Sequence, residues 1–140
     1  MKKITIIIVD ETWSYILNSD ARFKVIGECE SGEEAVLKVP KLLPDVVIMD
    51  INLPGISGID ATEKLVQSGC ISKVLGVSLH SASSYAQKML QKGAMGYVTK
   101  NSSREEMFEA ITQIQTGHKY VCSEIKMILS QIMQSADLYN

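Results

Sequence analysis

Residues 45–60 read DVVIMDINLPGISGID. Four apolar residues, Val46-Val47-Ile48-Met49, end in a single carboxylate, Asp50, and a turn rich in Pro and Gly follows at once. A short apolar run bounded by turn residues is the pattern of a strand buried on both faces. Its last residue is delivered to the surface where such a strand stops. Asp50 is therefore the candidate chemical site, an aspartate placed to accept a phosphoryl group.

Working outward, the same pattern recurs. Ile4–Val9 is almost entirely β-branched and ends in Asp10-Glu11. Phe23–Glu28, Lys73–Ser78 and Gly96–Thr99 read as further strands. Between them lie helical segments. Ser31-Gly32-Glu33-Glu34 opens one whose apolar side is Ala35, Val36, Val39 and Leu43, with Pro40 inside it, where a kink or an early end is expected. Ser57–Ser68 is the next, stopped by Gly69, and Ala82–Lys92 follows, stopped by Gly93. Ser103 and Glu106 are spaced as a capping box for a helix with Met107, Ala110, Ile111 and Ile114 inward. Thr12–Asp20 has room only for a short helix carrying Trp13, Ile16 and Leu17. Strand–helix alternation over five units predicts a flavodoxin-like, doubly wound (βα)5 α/β domain over residues 1–117. Ligands of such sheets bind at the C-terminal ends of the strands.

Residues 118–140 follow as a linker and an amphipathic helix, Ser123–Ala136, with Ile125, Ile128, Leu129, Ile132 and Met133 at helical spacing. Three readings of that helix stand: packing back on the domain, a homodimer contact, or a connection towards another domain.

The bulk composition narrows the function classes. A chain of 140 residues with 46% hydrophobic and 21% charged residues fits one globular domain. A net charge of −2 with scattered basic residues offers no footprint for nucleic acid or a membrane surface. No apolar run is long enough to span a bilayer, and the short run after Lys2-Lys3 ends in acids rather than a cleavage site. Cys29, Cys70 and Cys122 match neither a disulfide framework nor a CxxC metal pattern, which reads as reduced thiols in a cytoplasmic protein.

Several polar residues recur at strand ends: Asp10-Glu11, Asp50, Ser78 and Lys100. In a parallel sheet these ends lie together. Several carboxylates in one crevice repel unless a cation or protons relieve them, and oxygen-only ligands suit Mg²⁺. Lys100 adds a fixed positive charge and Ser78 a hydroxyl donor. Such a set is suited to stabilising a phosphoryl group passing to a carboxylate nucleophile. Taken singly each residue has a plainer reading: Asp50 or Ser78 as a cap, Lys100 as a solvated surface lysine, Tyr97 as core, His80 as a loop residue near the site mouth and His118 as a surface residue.

With MDINLPGISG around Asp50 and GAMGYVTK ending in Lys100, the chain resembles a response-regulator receiver domain of the NarL/LuxR class, over roughly residues 3–117. The resemblance implies sheet order 2-1-3-4-5. It also implies a phosphoacceptor at Asp50 and Mg²⁺ held by Asp10, Glu11, Asp50 and the backbone carbonyl of Asn52. Ser78 and Tyr97 become a switch pair, the tyrosine ring swinging inward, and Lys100 contacts the phosphoryl oxygens. The implied donor is a sensor histidine kinase in a two-component pathway. The implied output surface lies around the Ala82–Lys92 helix, the Gly96–Thr99 strand and the helix after Ser103. The output expected of the full-length protein is transcriptional, although no helix-turn-helix follows, so DNA binding by this chain is not expected.

Two departures qualify this picture. The stretch between the acidic pair and Gly27 is several residues short, which shortens the first helix, leaves one flank of the sheet less covered and disturbs the turn that carries Asp10-Glu11. The pair is also Asp-Glu, where Asp-Asp is usual. A receiver that works only as a phosphorylation-independent interaction module is therefore the alternative. Other aspartate or phosphate sites fit less well. A flavodoxin needs a Ser/Thr/Gly-rich loop where this chain has DETWSY. A haloacid-dehalogenase-type phosphatase needs a second aspartate where this chain has Asn52, which cannot exchange protons as a carboxylic acid does. At most slow autodephosphorylation is expected, rather than enzymatic turnover.

Overall fold

The computed structural model describes residues 2–9, 17–79, 83–127 and 130. Its elements, in chain order, are β1 (Ile4–Val9), β2 (Phe23–Glu28), α1 (Gly32–Leu42), β3 (Val46–Asp50), α2 (Gly58–Gln67), β4 (Lys73–Ser78), α3 (Ser83–Gln91), β5 (Gly96–Thr99), α4 (Arg104–Gln115) and β6 (Tyr120–Val121). One parallel sheet holds the strands in the order β2-β1-β3-β4-β5-β6. The expected order 2-1-3-4-5 is present, and a short sixth strand extends it.

The apolar runs are buried because both faces of the sheet are covered. Ile6–Val9 and Val46–Met49 are fully inaccessible. Helices α1 and α2 begin at side-chain caps. Ser31 Oγ accepts the Glu34 N–H at 3.1 Å, and Ser57 Oγ accepts the Asp60 N–H at 3.2 Å. Each supplies a partner to one of the donors that a helix start leaves unmet.

Helix α1 does not end at Pro40. It runs to Leu42 and closes at Leu43, in the left-handed region at φ 49°, whose N–H bonds the Val39 carbonyl. Pro40 stands in the last turn, so its missing N–H removes one bond, to the Val36 carbonyl, and little helix remains beyond it to disrupt.

Residues 10–16, which bear on the flank expected to be less covered, lie outside the described residues. Leu17 is fully buried and Phe23 is nearly so. The Phe23 ring packs at 5.1 Å from that of Phe108 on α4, with the Arg22 guanidinium over both. Aromatic area and the cation over it add to the packing at the start of β2.

Beyond residue 117 the same core continues. β6 pairs with β5, residues 123–127 are helical, and Cys122 and Ile125 are buried in the central cluster. Residues 128–129 and 131–136 of the expected amphipathic helix lie outside the described residues.

Candidate phosphoacceptor site

Asp50 is the last residue of β3, buried between β1 and β4, with its carboxylate at the C-terminal end of the sheet. Each of its oxygens has a donor: Oδ2 accepts from Lys100 Nζ at 3.0 Å and Oδ1 from the Asn52 N–H at 3.0 Å. The side chains of Asp50 and Lys100 are only 11% and 16% exposed, so this ion pair is screened far less than a surface pair. Lys100 is brought there by strand geometry. It follows β5 directly, and its own N–H bonds the Ser78 carbonyl at 2.8 Å.

Ser78, the last residue of β4, is fully buried, as is Tyr97 on β5. Their side chains are hydrogen-bonded to each other. Burial raises the Tyr97 phenol above its ordinary pKa, and the bond with Ser78 works in the opposite direction. The inward ring needs space that Gly76 provides. A Cβ at residue 76, the register partner of Tyr97, would stand 3.1 Å from the tyrosine ring and 2.7 Å from Met89 Cε. Sequence reasoning had no signal for this role of Gly76, since a glycine in a strand does not reveal what sits beside it.

The Pro-Gly turn after Asp50 is fixed from two sides. Gly58 opens α2 directly against the backbone of Asp50 and Ile51, its N–H bonding the Ile51 carbonyl at 2.9 Å. A Cβ there would overlap the Asp50 carbonyl group. From α1, Gly32 lets the helix approach Ile56 closely, and the Glu33 carboxylate accepts the Ile56 N–H. Gly55 takes φ +76°, a left-handed conformation within the same turn. The Ser31–Glu34 segment, which reads as an ordinary helix start, therefore also braces the loop that carries Asn52.

Of the residues singled out by sequence, Asp50, Asn52, Ser78, Tyr97 and Lys100 come together. Asp10, Glu11 and His80 lie outside the described residues. The last described residue of β1, Val9, is the register partner of Met49, the residue before Asp50. Among the described residues no group of three His, Cys, Asp or Glu side chains converges as a metal cage. What Asp50 and Asn52 offer is hard oxygen, the donor type that Mg²⁺ takes alongside several waters. The residues present fit that ion without completing its site.

Among the described residues, no helix is long and apolar enough to cross a membrane. Residues 6–112 match the family model of the response regulator receiver domain. Response regulator GacA of Pseudomonas protegens is 38% identical over 116 residues, which cover 81% of this chain and 54% of that protein. Response regulator UvrY of Escherichia coli strain K12 is 37% identical over 119 residues, covering 84% and 55%. The chain thus spans about half the length of these curated relatives. Among solved structures, a LuxR-family two-component response regulator from Aurantimonas sp. SI85-9A1 superposes with a TM-score of 0.88 at 28% identity, over 94% of this chain and 99% of that one. The signal receiver domain of NarL from Mycobacterium tuberculosis gives 0.79 at 25% identity, over 84% and 100%. With the family model covering most of the fold and both structural relatives of the NarL/LuxR kind, this chain belongs to the response regulator receiver domain family.

Proposed function

We propose that this chain is the phosphoacceptor module of a two-component pathway, working in the cytoplasm, with Asp50 phosphorylated by a sensor histidine kinase. An Asp50 oxygen attacks the phosphorus of the donor phosphohistidine. The P–N bond breaks as the acyl phosphate P–O bond forms, and the imidazole leaves. The observation that carries this reading is the Lys100 ammonium at 3.0 Å from Asp50 Oδ2, in a site too buried for water to screen it fully. It supplies positive charge where negative charge accumulates during transfer. Asp10 and Glu11, next in the chain after Val9, would hold Mg²⁺ together with Asp50 and the Asn52 carbonyl. That ion supplies the remaining charge neutralisation.

Ser78 and Tyr97 would form the switch, with the serine hydroxyl turning to a phosphoryl oxygen. Phosphorylation then favours whichever state pairs best with the added charge. Asn52 has no carboxylic acid to activate water, so the phospho-aspartate persists as a signal. By its likeness to the NarL/LuxR class, the output of the full-length protein would be transcriptional.

The test is intact mass after incubation with acetyl phosphate and Mg²⁺. One added phosphoryl group, absent in Asp50→Asn, supports the proposal. No gain over a wide Mg²⁺ range would overturn it. That result would favour an interaction module working without phosphorylation, a reading that draws on the Asp-Glu pair and the short stretch before Gly27.

A further inference from the structure

The Glu106 carboxylate reaches across to the segment after α4. Its Oε2 accepts from the Tyr120 hydroxyl at 3.0 Å, from the Ser123 N–H at 3.2 Å and from the Ser123 hydroxyl at 3.4 Å. Ser123 opens the helical residues 123–127, so this carboxylate also stands at a helix start, where negative charge is favoured.

The segment held in this way is bonded to the strand that carries Tyr97. β6 pairs with β5 in the register Gly96↔Tyr120 and Tyr97↔Val121. The Tyr120 N–H bonds the Met95 carbonyl at 3.2 Å, and the Cys122 N–H bonds the carbonyl of Tyr97 itself at 3.0 Å. Gly96 permits this approach, because a Cβ there would stand 2.6 Å from the Tyr120 carbonyl oxygen. Cys122 and Ile125 are buried on the same core. The path from Asp50 is therefore short: the Lys100 pair, the Ser78–Tyr97 bond, the Tyr97 carbonyl, Cys122, and then the helix start.

We propose that Glu106, Tyr120 and Ser123 form a clamp that fixes residues 120–127 to the strand carrying Tyr97, so that the state of Tyr97 sets the conformation of residues 120–127. The switch strand and residues 120–127 then move as one unit, and Glu106 is the positioning residue that keeps them together. The phosphorylation part of this inference rests on Asp50 being the phosphoacceptor. The clamp itself does not.

The experiment is hydrogen exchange by mass spectrometry on the full chain, reading peptides over residues 118–127. It is run with and without acetyl phosphate and Mg²⁺, and intact mass reports Asp50 occupancy. Loss of the Glu106 bonds in Glu106→Ala is expected to speed exchange there about tenfold or more. Tyr120→Phe, which removes a single hydroxyl, is expected to speed it a few-fold. Phosphorylation of the wild type changes exchange in the same peptides. Glu106→Ala takes up phosphate normally but loses that response, which a purely structural contact would not do. Phosphate uptake with unchanged exchange at 118–127 overturns the inference and leaves the phosphoacceptor reading intact. Absence of uptake overturns the phosphoacceptor reading. The clamp is then decided by a double-mutant cycle of Tyr97→Phe with Glu106→Ala, read at the Cys122 amide. Non-additive changes support coupling, and additive ones overturn it.

Discussion

Substituting Gly58 by alanine tests how rigidly α2 is seated on the phosphoacceptor. The added Cβ would lie 2.8 Å from the Asp50 carbonyl carbon and 3.0 Å from Ile51 Cα, with the carbonyl oxygen closer still. Ordinary carbon contacts are about 3.5–4.0 Å, so the helix start or the strand end must move by roughly 1 Å. The obstacle is backbone, with no side chain that can rotate away. Overpacking of this kind costs about 1–3 kcal/mol, and a rigid obstacle argues for the upper part of that range. Alanine recovers roughly 0.5 kcal/mol through its lower unfolded-state entropy. A net loss of about 2 kcal/mol in a domain of this size lowers Tm by roughly 8 °C. Differential scanning calorimetry reads that shift. Phosphate uptake from acetyl phosphate should slow in the same variant, because the displaced backbone is that of Asp50. A Tm within about 2 °C of wild type, with uptake unchanged, would refute the claim that the α2 start holds Asp50 in place.

Lys100→Met leaves the Asp50 carboxylate with the Asn52 N–H but without the Lys100 charge; a loss of about 1–3 kcal/mol is expected in urea unfolding. Most of it should return in Asp50→Asn/Lys100→Met, and a double variant no more stable than Lys100→Met would contradict the pairing. Tyr120 has its phenol pushed up to about 12, first by burial and then by the bond to Glu106. Its folded pKa is above the ordinary 10.0, so the stability it contributes is full below pH 10 and is lost as pH rises towards about 12. Tyr120→Phe should flatten that part of the stability–pH curve, and an identical curve would count against the bond. Burial, with Glu34 nearby, raises the Cys29 thiol to about 11. Near neutral pH, iodoacetamide should therefore modify the half-buried Cys70 first and reach Cys29 and Cys122 only on unfolding. Peptide mapping showing early modification of Cys29 would contradict its burial.

Much of this protein is written locally. The strands over residues 4–9, 23–28, 73–78 and 96–99 can be read from their apolar runs, and α2 from Ser57 at its start and Gly69 at its end, because burial on both faces and helix capping act over a few neighbouring residues. Asp50 and Lys100 could be named for the same reason: each closes such a strand, and parallel strands end on one side. The features that escaped have partners distant in sequence. β6 has only two residues, too few to carry a period, and exists because β5 offers an open edge. Ser103 and Glu106 match a capping box, and the Ser103 half is present, its Oγ accepting the Glu106 N–H at 3.0 Å. The Glu106 carboxylate, however, serves Tyr120 and Ser123, which helix spacing alone could not foresee. Gly32, Gly58 and Gly76 look alike in sequence, yet each is needed because a different part of the chain comes close: Ile56, the Asp50 backbone and the Tyr97 ring. The sequence by itself determined which residues form β1 to β5 and which carboxylate stands at the end of β3. Only the tertiary structure decided what presses on that carboxylate and what ties Tyr97 to β6 and Cys122, because those contacts depend on distances between segments that no local pattern encodes.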